Sequence, residues 1–153
     1  MIPNRTKAKL LRGDIDLVSD TVRIALLKAT TEYDADPAAH EFVDDVLDGG
    51  TTGEELTDSN YSRQTVTGTT VDQDDSDDEA EWQVNDVRFA DLGGSETVEA
   101  ILLYKQTGGD DSTPGDDPII RIIDDADVGD LEADTDGGDF EIIWSDDGIL
   151  GAR

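Results

Sequence analysis

The sequence lacks cysteine altogether, and aromatic residues make up only 5% of its 153 residues. Without cysteine, neither disulfide bonds nor thiolate metal sites can form. No apolar run approaches the roughly 18 residues that a membrane-spanning helix needs, and residues 1–13 contain no apolar segment of signal-peptide length. We therefore expect a chain without disulfide bonds that is made and kept in a soluble compartment, or is assembled into a larger structure from there.

Positive charge is scarce as well. Only 11 Lys and Arg residues accompany 39 Asp and Glu residues, which gives a formal net charge of −28. Phosphate backbones are bound by clusters of Lys and Arg, and anionic membrane surfaces attract the same clusters. The composition therefore predicts that the chain binds neither nucleic acid nor a membrane surface.

The abundant acids, mostly Asp, admit three interpretations. A disordered acidic tail is excluded, because apolar runs alternate with the acids along the whole chain. An acidic partner for a basic ligand, or a store for cations, is one alternative. We favour adaptation to near-saturated salt, where the Debye length falls to about 3 Å and repulsion between carboxylates is screened. A dense carboxylate surface keeps a protein hydrated there, and few Lys residues leave little apolar stem exposed.

Short apolar runs with alternating periodicity predict an all-β fold. Residues 96–105 form the strongest predicted strand, and because both faces are apolar at its centre, we expect it in the middle of a sheet. Residues 37–48 are the best candidate for a helix, since Pro37 suits a first turn and apolar residues repeat at helical spacing. Further strands are predicted over 21–29, 62–71, 81–89, 119–123 and 140–144, with 14–18 as a partner of the first, a bend near Asn85-Asp86, and a polar loop over 72–79. The pattern is typical of an antiparallel β-sandwich, jelly-roll or Ig-like, with one short helix.

The chain shows no internal repeat and no domain boundary. We expect residues 14–153 to form a single β-sandwich domain that is preceded by an N-terminal arm, residues 1–13. Four of the 11 basic residues lie in this segment and are candidates for docking onto an acidic neighbour: Arg5, Lys7, Lys9 and Arg12. The alternative for the segment is a short first strand or a helical turn.

The sequence offers little support for catalysis. His40 is the single histidine, it has no nucleophile-elbow motif to serve, and a capping or packing role explains it better. Adjacent carboxylates are frequent, but 39 acids produce such pairs by composition alone, and a glycosidase would also need aromatic sugar platforms. We therefore predict that the chain is not an enzyme.

A cation site is the sharpest alternative based on residue chemistry. In the segment 72–79, Asp72, Asp74 and Asp77 are the candidate metal ligands. An EF-hand loop needs Gly at its sixth position and Glu at its twelfth, where this chain has Asp77 and Gln83, so that motif fails. We expect no cofactor, and at most opportunistic binding of Ca²⁺, Mg²⁺ or monovalent cations.

Seven stretches, each an ordinary strand or turn, are informative through their order along the chain. They are GDIDLVSDTVRIALLK (13–28), HEFVDDV (40–46), NYSRQTVTG (60–68), DVRFADLG (86–93), AILLYKQTGGDDSTP (100–114), PIIRIID (118–124) and FEIIWSDDGIL (140–150). In this order they resemble a family of small virion structural proteins encoded by tailed phages and by tailed viruses of haloarchaea. The resemblance covers residues 9–150 and implies a β-sandwich that assembles as a symmetric oligomer on the particle, with no catalytic residues. The acidic loops over 72–79 and 125–138 depart from the family pattern.

The composition and the resemblance together lead to a function hypothesis. We expect a structural protein of the virion of a halophilic tailed virus, made in the cytoplasm of an extremely halophilic host. The expected position is on the head, as a capsid decoration or vertex turret component, with other copies of the chain and the major capsid protein as partners. A tail or baseplate structural protein is one alternative, and a calcium- or carbohydrate-binding β-sandwich module is another.

Transfer from molar salt to dilute buffer should unfold or dissociate the protein, because a net charge of −28 then loses its screening. Circular dichroism spectra and light scattering across a KCl series measure both effects. A spectrum that stays the same from molar salt to dilute buffer would contradict the interpretation as a halophilic protein.

Overall fold

A computed structural model describes residues 1–29, 35–47, 53–76, 78–124, 131, 133–145 and 148–152. Two helices, α1 (Asn4–Arg12) and α2 (Val43–Val46), accompany the strands, and Pro114–Asp116 form a 3₁₀ turn. The strands are β1 (Val22–Lys28), β2 (Glu54–Glu55), β3 (Gln64–Thr65), β4 (Thr70–Asp74), β5 (Glu79–Gln83), β6 (Val87–Phe89), β7 (Thr97–Lys105), β8 (Ile119–Ile123), β9 (Ala133–Asp134), β10 (Phe140–Ile142) and β11 (Leu150–Ala152).

The centre of the fold is an antiparallel sheet built around β1 and β7. These two strands pair along their whole length, β2 and β3 follow each other along the outer edge of β1, and β8 and β9 do the same along β7. The register shifts in β7 opposite Leu27 and Lys28, where Glu99 is the extra residue. This bulge places Val98 on the same face as Ile101 and Leu103, against the strict alternation of a regular strand.

Smaller sheets cover the first face of the central sheet. One has the order β11-β5-β4 and the other pairs β10 with β6, all antiparallel. Trp82 of β5 and Phe89 of β6 are almost fully buried against Ile24 and Leu103 of the central sheet. Two layers packed on a shared aliphatic core make the sandwich that the sequence predicts.

The second face of the central sheet is covered by the segment 35–47 rather than by strands. Val43 and Val46 of α2 pack on Ala100 and Leu102 of β7.

The outer edge of β8 is also closed, because Ile119 N–H donates to Glu41 O and Ile119 O accepts from the Thr6 hydroxyl of α1. A covered edge cannot pair with a foreign strand.

The all-β sandwich is confirmed, and the main strands β1, β7 and β8 lie where the periodicity predicts them. The bend near Asn85-Asp86 is confirmed as well, since β5 ends at Gln83 and β6 begins at Val87 in another sheet. The predicted helix over 37–48 is too long, because only Val43–Val46 is helical. Residues 1–13 contain helix α1, which agrees with the helical alternative for this segment, so the described residues form two helices rather than one.

Two further predictions about local structure were wrong. Residues 14–18 form no strand, because Asp16 Oδ1 accepts hydrogen bonds from the backbone N–H groups of Val18 and Ser19 and closes a turn. Part of the segment 72–79 is strand rather than polar loop, since β4 continues to Asp74 and β5 starts at Glu79. Strand β11, which pairs with β5, lies where the sequence pattern predicts no element.

Tyr61 fills a gap along the outer edge of β1. Between β2 and β3, the N–H of Leu26 has no strand partner, and it donates instead to the Tyr61 hydroxyl at 3.0 Å. The same hydroxyl donates to Glu55 Oε1 at 2.8 Å, and the ring stacks on Phe89 with centroids 5.8 Å apart. One side chain therefore satisfies a buried backbone donor and joins β2 to the core.

Replacing Tyr61 by Phe should lower the free energy of unfolding by about 1–3 kcal/mol, because the Leu26 N–H loses its acceptor while the ring stack is kept. Urea unfolding in molar KCl measures the difference. The matched control is Ser62→Ala at the neighbouring exposed position, for which we expect a change within about 0.5 kcal/mol. Equal stability of the Tyr61→Phe variant and the original chain would show that the hydroxyl contributes nothing to this edge.

Candidate interaction surface

Helix α1 presents the basic residues that the sequence singles out for docking. Arg5 and Lys9 both pair with Glu41, at 2.6 Å and 3.0 Å, and the Lys9 ammonium also lies 4.5 Å from the centre of the Phe42 ring. Arg12 pairs with Asp14 at 2.9 Å, although both side chains stay more than half exposed. Lys7 is exposed and forms no ion pair with any described residue. Three of the four docking candidates therefore have an acidic partner within the chain, and Lys7 is available to an external one.

The hairpin of β4 and β5 carries the acids that the sequence singles out as metal candidates. Asp72 lies directly opposite Glu81, and Asp74 lies opposite Glu79. Such cross-strand pairs of like charge repel one another in dilute buffer. Asp77 lies outside the described residues, and within the described part of the chain no group of three or more His, Cys, Asp or Glu is arranged to hold a metal ion. The structure thus brings Asp72 and Asp74 onto one exposed hairpin without assembling a coordination shell.

An apolar groove of about 430 Å³ lies between α1 and the sheet β11-β5-β4. Its walls come from distant parts of the sequence: Leu10 and Leu11 of α1, Leu17, Val71 of β4, Trp82 of β5 and Leu150 of β11. Leu11 is 90% exposed and Val71 is 50% exposed, so two large apolar side chains point into solvent at this groove. Exposed apolar surface that is bordered by polar residues marks contact sites in monomeric proteins.

Charges of opposite sign flank this groove. Lys7 lines the groove on the α1 side, whereas Arg5, Lys9 and Arg12 pair with Glu41 or Asp14, neither of which lines it. The described residues of the β4–β5 hairpin, 70–76 and 78–83, contain six acidic residues and no basic one. Among the described residues, the groove therefore has an unpaired lysine on one side, an apolar centre and an acidic hairpin on the other side.

A cluster of polar side chains joins the loop after β7 to the central sheet. Arg63 forms two 2.8 Å hydrogen bonds with Glu55 and a 3.0 Å bond to the Tyr104 hydroxyl, which in turn donates to Asp111 at 2.7 Å. Burial raises the pKa of Tyr104, so its phenol stays protonated and remains a donor. Arg23 holds the other Asp111 oxygen at 3.0 Å. Because the Glu55 and Asp111 carboxylates and the Tyr104 hydroxyl bond to other members of the cluster, it joins the loop to the sheet and serves as a structural element.

Asp117 is a fully buried carboxylate at the end of the same loop. Its Oδ1 accepts a hydrogen bond from the Thr107 N–H at 2.6 Å, while Oδ2 is buried without a hydrogen-bond partner among the described residues. Burial raises the pKa of Asp117, the hydrogen bond from Thr107 lowers it, and the nearby charge of Asp111 raises it again, with a net upward shift. This residue stores unfavourable electrostatic energy in the folded state whenever it is ionised.

The remaining candidate, His40, has a local structural role. Its Nδ1 accepts a hydrogen bond from the Asp36 N–H at 3.0 Å, within the turn that precedes α2. This hydrogen bond lies within the turn and caps no helix end, since α2 begins at Val43. No helix within the described ranges is long and apolar enough to span a membrane.

Sequence reasoning identified the basic residues of α1 but missed the groove beside them. The available signal was the pair Leu10-Leu11 within an otherwise polar segment. Adjacent side chains of a helix point in different directions, so the two leucines cannot both face the core of the protein. The residues on the opposite wall belong to an acidic hairpin and carry no signal of their own.

Comparison with protein-family models, with curated proteins and with solved structures finds no significant match to this chain.

Neutralising Asp117 should flatten the pH dependence of stability. Because the folded protein holds this proton more tightly than the unfolded chain does, the contribution of Asp117 is complete below the ordinary pKa of 3.8 and is lost as pH rises through the raised value. The original chain should therefore lose more stability on going from mildly acidic to neutral pH than Asp117→Asn. Urea unfolding at constant molar KCl measures both slopes.

The matched control for this comparison is Asp116→Asn, since the neighbouring Asp116 side chain is exposed. Its slope should equal that of the original chain. Equal slopes in all three proteins would show that Asp117 titrates normally in the fold.

Proposed function

We propose that the chain is a structural protein of the virion of a halophilic tailed virus and acts through protein–protein contacts. Within the particle it serves as a capsid decoration or vertex turret component, in contact with its own copies and with the major capsid protein. The observation that carries the contact function is the groove beside α1, where Leu11 and Val71 are exposed on a chain that is otherwise rich in carboxylates.

The ion pairs support the part of the proposal that concerns salt. At least eight of the 11 basic residues pair with an acid within the chain: Arg5, Lys9, Arg12, Arg23, Lys28, Arg63, Arg88 and Lys105. The excess acids have no such counterparts, so their mutual repulsion must be screened by the solvent. A protein with this arrangement works best where salt is abundant.

High salt also favours a function that depends on apolar contact. Salts that are excluded from protein surfaces strengthen the burial of apolar area, while they screen ion pairs between partners. A contact protein in such a solvent therefore relies on exposed leucine and valine more than on charge. The resemblance of seven ordered stretches to tailed-virus virion proteins supplies the assignment to a particle.

The proposal predicts that purified virions contain this chain in a fixed ratio to the major capsid protein. Quantitative mass spectrometry of virions, purified in the salt medium of the host, measures that ratio. Near-equal abundance supports general decoration of the capsid, and five copies per vertex, as closed five-fold symmetry requires, supports a turret. Threes or sixes per particle would overturn the position on the head in favour of the tail or baseplate, and absence from the virion would overturn the proposal.

A further inference from the structure

We infer that the groove between α1 and the β4–β5 hairpin is the contact surface for a second copy of this chain, with α1 of each copy lying against the acidic hairpin of the other. This inference rests on the proposed function only for the expectation that copies of the chain meet. Its geometry comes from the groove and from the charges on its two sides.

Charge complementarity selects the occupant. A partner must offer negative charge opposite Lys7 and positive charge opposite the hairpin, with apolar side chains between them. The chain itself has this pattern in the reverse order, since Lys7 of α1 and Glu81 of the acidic hairpin line the same groove. A two-fold axis through the groove therefore brings unlike charges together on both sides, which is the self-complementarity that an isologous interface needs.

The apolar centre provides the attraction. Leu11, at 90% exposure, is the most exposed large apolar residue of the described chain, and it lines the groove. In the symmetric pair each copy inserts its Leu11 beside Val71 and Leu17 of the other. Burial of both leucines removes the largest exposed apolar side chains from water.

The salt dependence of such a pair differs from that of an ion-pair interface. Two copies with a charge of −28 each repel strongly in dilute buffer, and the unlike charges around the groove offset only a small part of this repulsion. At molar salt the repulsion is screened while apolar burial is strengthened. The dimer should therefore form in molar KCl and dissociate as the salt is diluted.

The test is light scattering and analytical ultracentrifugation of the full chain in molar KCl. The original chain should be dimeric, and Leu11→Asp should raise the dissociation constant by at least about 100-fold, because each dimer loses two buried leucines and gains two buried charges. The matched control is Ile143→Asp, which adds the same charge at an apolar residue that is 72% exposed and does not line this groove. That variant should stay dimeric, and circular dichroism should show that both variants are folded.

Cross-linking tests the arrangement of helix against hairpin. Because the chain has no cysteine of its own, a Lys7→Cys chain and an Asp75→Cys chain can be mixed and treated with a short bismaleimide. Cross-linking between the two variants should exceed that of either with Ser62→Cys, an exposed position that does not line the groove. Equal yields for all pairs would overturn the arrangement.

The outcomes separate this inference from the proposed function. A monomeric original chain, or a dimer that survives Leu11→Asp, overturns the inference even if the protein is abundant in virions. A dimer that is lost in Leu11→Asp but kept in Ile143→Asp supports the inference even if virions lack the protein. A monomer whose attachment to capsids is lost in Leu11→Asp also overturns it, because another virion protein then occupies the groove.

Discussion

The pairing of β1 with β7 is the constraint on which the rest of the structure depends. Both strands are buried on both faces, so the fold needs one cover of strands and another formed by α2 and its flanking residues. A chain with only 35% hydrophobic residues concentrates them in this pair and in β8. Apart from Glu81 and Asp117, the described acids keep part of their side chains exposed, where their charge can stay hydrated.

The few basic side chains of the chain form ion pairs that join one segment to another, rather than a binding surface. Lys28 joins β1 to Glu54 of β2 and approaches Glu96, and Lys105 joins β7 to Asp20 in the turn before β1. Each exposed pair contributes at most about 1 kcal/mol in dilute buffer. Their placement matters more than their strength, because it pairs most of the described basic residues with acids of the chain itself. Among the described residues, the unpaired Lys7 of α1 lies beside the apolar side chains of the groove.

The sequence predicts those elements whose apolar pattern is intrinsic to one segment. Strands β1, β7 and β8 alternate clearly, so their positions and the central place of β7 were predictable. Helix α1 was one of two alternatives for residues 1–13, because four basic residues in 13 also suggest an arm. Strand β4 was missed over its acidic part because acids are rare in strands and only its pairing with β5 makes it one. The groove combines residues from 10 to 150, and no local pattern reveals such a combination. Asp117 was equally hidden among 39 acids, since burial alone distinguishes it.

Some acids of the chain are paired and others are not. Protons and salt can therefore stabilise the fold in the same way, because each reduces the repulsion between carboxylates. Burial raises the pKa of Glu96, but hydrogen bonds from Thr57 and the charge of Lys28 outweigh it and hold the pKa below its usual value. The pKa of Asp139 is lowered by the Asp91 N–H and by Arg88. On acidification these two carboxylates keep their charge and their contacts to a lower pH than an ordinary carboxylate does, while protonation of Asp117, whose pKa is raised, removes a buried charge. Moderate acidity can therefore replace part of the salt that the fold needs, so that the protein stays folded at a lower ionic strength.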